Sequence, residues 1–169
     1  MPSIKIRPIV TKYNKAILGV YNNGGEATFK GTARIIKGHH DELYTLYWEP
    51  DGAKTKMDRG GIGKIILASQ EPISISPFIM GLKMLAATGH GHILFNEGIW
   101  PLGKLGEIRT DKPPENIYID ISITASPPLR RRFNEARFIL SQASITDLSF
   151  AYIGCKTRKL KPDENGFLE

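Results

Sequence analysis

A chain of 169 residues, 41% hydrophobic and 24% charged, is long enough to close one domain core without disulfide or metal support. No apolar run nears the ~20 residues that span a bilayer, the opening residues 1–7 alternate polar and apolar where a signal peptide would be apolar, and the single cysteine, Cys155, excludes an internal disulfide. These features set a membrane partner aside and favour the cytoplasm, while the formal charge of +6 favours acidic partners.

Ile4 and Ile6 alternate with Lys5 and Arg7, which predicts a short strand whose Pro8 suits a sheet edge. Residues 16–21 form a second strand. Asn22-Asn23-Gly24-Gly25 then reads as a hairpin turn, because Asn and Gly accept positive φ. Beyond it Ala27, Phe29, Gly31, Ala33 and Ile35 face one way, and Thr28, Lys30, Thr32 and Arg34 the other. On this reading the turn fixes the register that points Phe29, Ala33 and Ile35 inward. Residues 43–48 and 62–68 add two strands, the second after the glycine turn Gly60-Gly61-x-Gly63. Short strands parted by turns, with no helix between them, predict a sandwich or barrel.

Ser76-Pro77 reads as an N-cap with Pro at the first helical position, and Phe78, Leu82 and Leu85 follow at helical spacing before Gly89. A short helix is therefore predicted over 77–88. Strands resume at 91–95 and at 116–125, where Ile117, Ile119, Ile121 and Ile123 alternate. The connection between them, 96–115, contains Trp100 and is longer than compact domains usually keep without a reason. After Pro127-Pro128 two periods compete. Leu129, Phe133, Ala136 and Leu140 fit a helix, whereas Ala136, Phe138 and Leu140 fit a strand. Arg130, Arg131 and Arg132 at a helix N-terminus would oppose its dipole, so a loop and then a strand from about residue 136 is the expectation. A last strand spans 145–153. Residues 1–155 are read as one domain and 156–169 as a polar, flexible tail.

With the strands placed, Val20-x-Asn22-x-Gly24 leading into an alternating strand through Phe29 and Ala33 resembles the V-x-N-x-G hairpin of bacterial and archaeal immunoglobulin-like β-sandwich domains. Tyr47-Trp48, the run from Lys64 to Ala68, and residues 119–125 entering Pro127 fit the same layout. The resemblance implies an all-β, immunoglobulin-like antiparallel sandwich with the one short helix added. Domains of this kind most often serve as interaction or assembly modules.

Chemistry-bearing motifs are sparse. His90-x-His92 would share one face of a strand and make a candidate metal pair, while His39-His40 beside Gly38 and Asp41 reads as a turn tip. Asp58-Arg59-Gly60-Gly61-Ile62-Gly63-Lys64-Ile65 misses the phosphate-loop pattern, since Asp58 stands at the first glycine and Ile65 at the hydroxyl position. No G-x-S-x-G elbow occurs, and Cys155 has no partner base in sequence. Tyr118, Asp120 and Ser122 lie opposite the isoleucines, where Asp120 is either surface or the wall of a groove.

The expectation is a non-enzymatic protein-interaction or assembly module without cofactor. It would dock another protein through Trp100 with Ile99 and Leu102, because Trp among apolar neighbours makes a strong anchor when exposed. Alternatives are a capsid, tail or filament subunit that self-associates, and a nucleic-acid binder using Arg130, Arg131, Arg132 and Lys159.

Overall fold

The computed structural model describes residues 1–11, 15–71, 92–96, 108–109, 116–144 and 147–169. Within them the chain is all-β, with eleven strands and no helix; the helix predicted over 77–88 lies outside the described residues. Strands β1 (Ile4–Val10), β2 (Lys15–Asn22), β6 (Ile62–Glu71), β7 (His92–Phe95) and β8 (Ile108–Arg109) form a five-stranded antiparallel sheet in that order. The second sheet runs β11 (Asp147–Cys155), β10 (Phe133–Ser144), β9 (Ile117–Ser126), β3 (Ala27–Lys37), β4 (His40–Leu46), and β5 (Thr55–Met57) also pairs β3. Its ladders are likewise antiparallel.

Alternation explains both sheets. Leu18 and Val20 of one sheet, and Phe29, Ala33, Ile35, Ile119, Ile121, Phe138 and Leu140 of the other, are buried in one continuous hydrophobic cluster. The polar residues between them point outward, which lets one face of each strand stay wet. Trp48 belongs to the same cluster, and its indole lies against Gly63, where a Cβ would come 2.8 Å from Cζ3.

The Asn22–Gly25 stretch is not a hairpin turn. β2 pairs β1 and β6, and β3 pairs β4, β5 and β9, so the connection carries the chain from one sheet to the other. None of its residues has positive φ; among the described residues that conformation falls on Gly38, Gly52, Gly60, Gly166 and Glu135. Close approach, not φ, requires glycine here: a Cβ on Gly24 would stand 2.3 Å from the Met1 carbonyl oxygen and 2.6 Å from the Ser3 nitrogen. Asn22 itself is fully buried and acts as the clamp. Its Nδ2 faces the carbonyls of Gly25 (2.9 Å), Met57 (3.2 Å) and Asp58 (3.3 Å), while its Oδ1 accepts from Gly24 N (3.1 Å) and, at 3.4 Å, from Ser3 N. Backbone bonds from Asn22 N to Gly61 O and from Gly60 N to Asn22 O bind in the β5–β6 connection. That connection also joins the two sheets, so the glycine turn at 60–63 is a second crossover.

Asn96 plays a matching part. Its Nδ2 donates to Tyr47 O (2.9 Å) and Ile66 O (2.8 Å), and its Oδ1 accepts from Tyr47 N (2.8 Å), tying the exit of β4 to β6. Residues 156–169 run back over β1. Leu160 and Leu168 are buried, Leu168 exchanges two backbone bonds with Ile6, and Phe167 lies under the Arg7 guanidinium and beside the Tyr21 ring. Lys5 pairs with Asp163 and Glu169 on the same face. The outer surface of the five-stranded sheet is thus covered at β1 and β2 by the chain's own end.

Candidate functional site

The outer face of the six-stranded sheet is open among the described residues. Register places Ile36 beside Tyr118, Tyr118 beside Ile139 and Ile139 beside Ala151, a cross-strand row over β3, β9, β10 and β11. All four lie on the wet side of their strands and are half-buried or exposed. Leu43, 60% exposed, and Ile153, 50% exposed, extend this apolar ground at the two margins of the sheet.

The adjoining row is charged: Arg34 is in register with Asp120, and Asp120 with Arg137. Arg137 grips both oxygens of Asp120, Nε to Oδ1 at 2.7 Å and Nη2 to Oδ2 at 2.9 Å, and its guanidinium lies 5.4 Å from the Tyr118 ring centre. This bidentate geometry is the strong form of the ion pair. It explains how Asp120 can be only 7% exposed. Hydrogen bonding to Asp120 holds the Arg137 guanidinium above its ordinary pKa. Arg34 is raised in the same way by Asp41, 3.0 Å away.

A bulge shapes the floor beside this row. Between Phe133 and Ala136 the β9–β10 register shifts, Glu135 takes φ 52°, and Ser122 Oγ accepts from Glu135 N at 2.9 Å while bonding Asn134 Oδ1 at 2.7 Å. The bulge lifts Glu135 toward Lys156, 3.0 Å away. A shallow groove of about 350 Å³ results, lined by Asp120, Glu135, Arg137, Ile153, Gly154 and Lys156. Each of its charges already has a partner: Asp120 with Arg137 and Glu135 with Lys156.

The residues anticipated from sequence fall differently. Trp100, Ile99, Leu102 and His90 lie outside the described residues. His92 opens β7, in register with Glu71 and Arg109. Arg130, Arg131 and Arg132 are exposed in the β9–β10 connection, and Lys159 is exposed beyond β11. Strand direction brings these basic residues to one end of the sheet, since β10 begins where β11 ends and Lys156 N bonds Glu135 O. Cys155 is half-buried, with its Sγ near Asn134 O and Thr157 Oγ1. Among the described residues no cluster of three or more His, Cys, Asp or Glu forms a metal-sized cage. Asp120 was visible in the sequence as an outward residue of an alternating strand. Its partner Arg137 was not, because the two meet only through the β9–β10 ladder.

Comparison of the chain with protein-family models, with curated proteins and with solved structures returned no match.

Proposed function

We propose that this chain is a non-enzymatic protein-interaction or assembly module on an immunoglobulin-like β-sandwich, docking through the outer face of its six-stranded sheet. The observation that carries this reading is the in-register row Ile36–Tyr118–Ile139–Ala151, which no described segment covers, while the opposite sheet is roofed at β1 and β2 by residues 163–169. One buried core shared by two antiparallel sheets supports the sandwich.

The charges next to the row favour docking over catalysis. Arg34–Asp41, Arg137–Asp120 and Lys156–Glu135 are already paired, so a partner covering them strips water from neutralised pairs and not from lone ions. A general acid or base needs a carboxylate free to exchange its proton with substrate, and both oxygens of Asp120 are held by Arg137. Such a pre-ordered surface also loses little side-chain freedom on binding.

The test is an affinity purification from the native host with the chain and its Ile139→Asp variant. A defined set of partners, or a second copy of the chain, is expected with the unsubstituted chain and lost on substitution while circular dichroism stays unchanged. Partners retained in full by the variant would overturn it.

A further inference from the structure

We propose a second, separate surface: the end of the six-stranded sheet where β9 turns into β10 and β11 runs out binds the phosphate backbone of nucleic acid, without reading its bases. It does not depend on the docking face above.

In sequence the two basic clusters stand far apart, and neither is long enough to track a polyanion. Topology joins them. β10 and β11 are antiparallel, Ala136 is in register with Cys155, and Lys156 both bonds the Glu135 carbonyl through its backbone and reaches the Glu135 carboxylate at 3.0 Å. Arg132 precedes Glu135 by three positions, roughly 10 Å of extended chain, so Arg130–Arg132 and the segment from Lys156 to Lys159 border the same patch. Arg130 is anchored by its backbone, N to Pro2 O at 2.8 Å, which fixes the arginine-bearing turn to the body of the fold.

The charges there are available. Arg130, Arg131, Arg132 and Lys159 are exposed, and none of them forms an ion pair among the described residues; Arg158, half-buried, forms none either. Beside Arg132 opens a groove of about 440 Å³ with Thr124, Asn134 and Leu129 on its walls, which offers hydroxyl and amide donors next to the guanidinium. Fixed arginines with neighbouring neutral donors suit phosphate oxygens. The one aromatic residue on that groove's wall, Phe133, is 3% exposed and belongs to the core, so it offers no free face for base stacking, and the binding is sequence-indifferent.

The test is fluorescence anisotropy with a labelled 20-base-pair DNA duplex over a salt series. Five free cations predict a slope of log K against log salt of about −4.5, since each phosphate neutralised contributes about −0.9. The triple variant Arg130→Ala, Arg131→Ala, Arg132→Ala reduces the slope by about 3, and the double variant Arg158→Ala, Lys159→Ala by about 2, if both clusters form one site. Lys64→Ala, exposed on β6 of the five-stranded sheet, leaves it unchanged. Absence of salt-sensitive binding overturns the proposal, as does an effect confined to one cluster. Poly-glutamate or anionic lipid vesicles competing charge for charge with the duplex would also overturn it, by assigning the patch to another polyanion.

Discussion

Replacing Asn22 by alanine removes the clamp at which two sheet crossovers and the N-terminal strand meet. The two Nδ2 hydrogens serve the carbonyls of Gly25, Met57 and Asp58, and Oδ1 serves the amides of Gly24 and Ser3. Asn22 is 0% exposed, so water does not replace these bonds without opening the fold. Four lost bonds at about 1 kcal/mol each give a destabilisation of about 4 kcal/mol. With a urea dependence of about 2 kcal/mol per molar, the unfolding midpoint falls by about 2 M. Equilibrium urea unfolding followed by tryptophan fluorescence reads this directly, Trp48 lying in the core. A midpoint shift under about 0.5 M at unchanged slope would refute the reasoning. Asn22→Asp supplies a second check. It keeps the acceptor but turns a carboxylate toward three carbonyls, which raises its folded pKa above the unfolded value. Its deficit relative to wild type therefore grows as pH rises through that folded pKa and shrinks in acid.

Other predictions follow from the same contacts. Arg137→Leu strands Asp120 at 7% exposure, and a loss of about 2 kcal/mol is expected in thermal unfolding, with Asp120→Asn, Arg137→Leu together costing less than the sum; strict additivity would deny the pair. Gly63→Ala pushes a Cβ to 2.8 Å from Trp48 Cζ3 and 3.1 Å from Met57 Sδ, and should cost about 1–3 kcal/mol with altered Trp48 emission. Burial alone would raise the Asp163 carboxyl, but the amides of Phe167 and Asn165, with Lys5, hold it below its ordinary value. Its contribution is present above the unfolded pKa and lost as pH falls through the folded one, so Asp163→Asn should lose stability at neutral pH and show less further loss in acid than wild type. Leu168→Ala empties a buried site and should cost about 2–3 kcal/mol, with faster hydrogen exchange at the Ile6 amide, which Leu168 O accepts.

What the sequence revealed depended on unbroken alternation. Ile117, Ile119, Ile121 and Ile123 marked β9 within a residue of its ends, and Phe29, Ala33 and Ile35 marked the inward side of β3. Where the backbone departs from regular pleating the pattern fails. The bulge at Asn134–Glu135 sets Phe133 and Ala136 both inward with two residues between them, which imitates helical spacing and hid the first residues of β10. The Asn-Gly run at 22–25 announced a change of direction, but turn residues do not say which sheet receives the next strand. That is decided by pairing with β9, about ninety residues on, and by the reach of the Asn22 amide to Met57 and Asp58. The docking row was illegible for the same reason: Ile36, Tyr118, Ile139 and Ala151 become neighbours only when four strands are set in register.

The docking face is tested most directly by a photo-reactive amino acid placed at Ile139 in the native host, with Ile62, 63% exposed on the other sheet, as the control position. A defined covalent adduct, to a partner protein or to a second copy, is expected at 139 and not at 62. Equal yields at the two positions, or no adduct at 139, would contradict it.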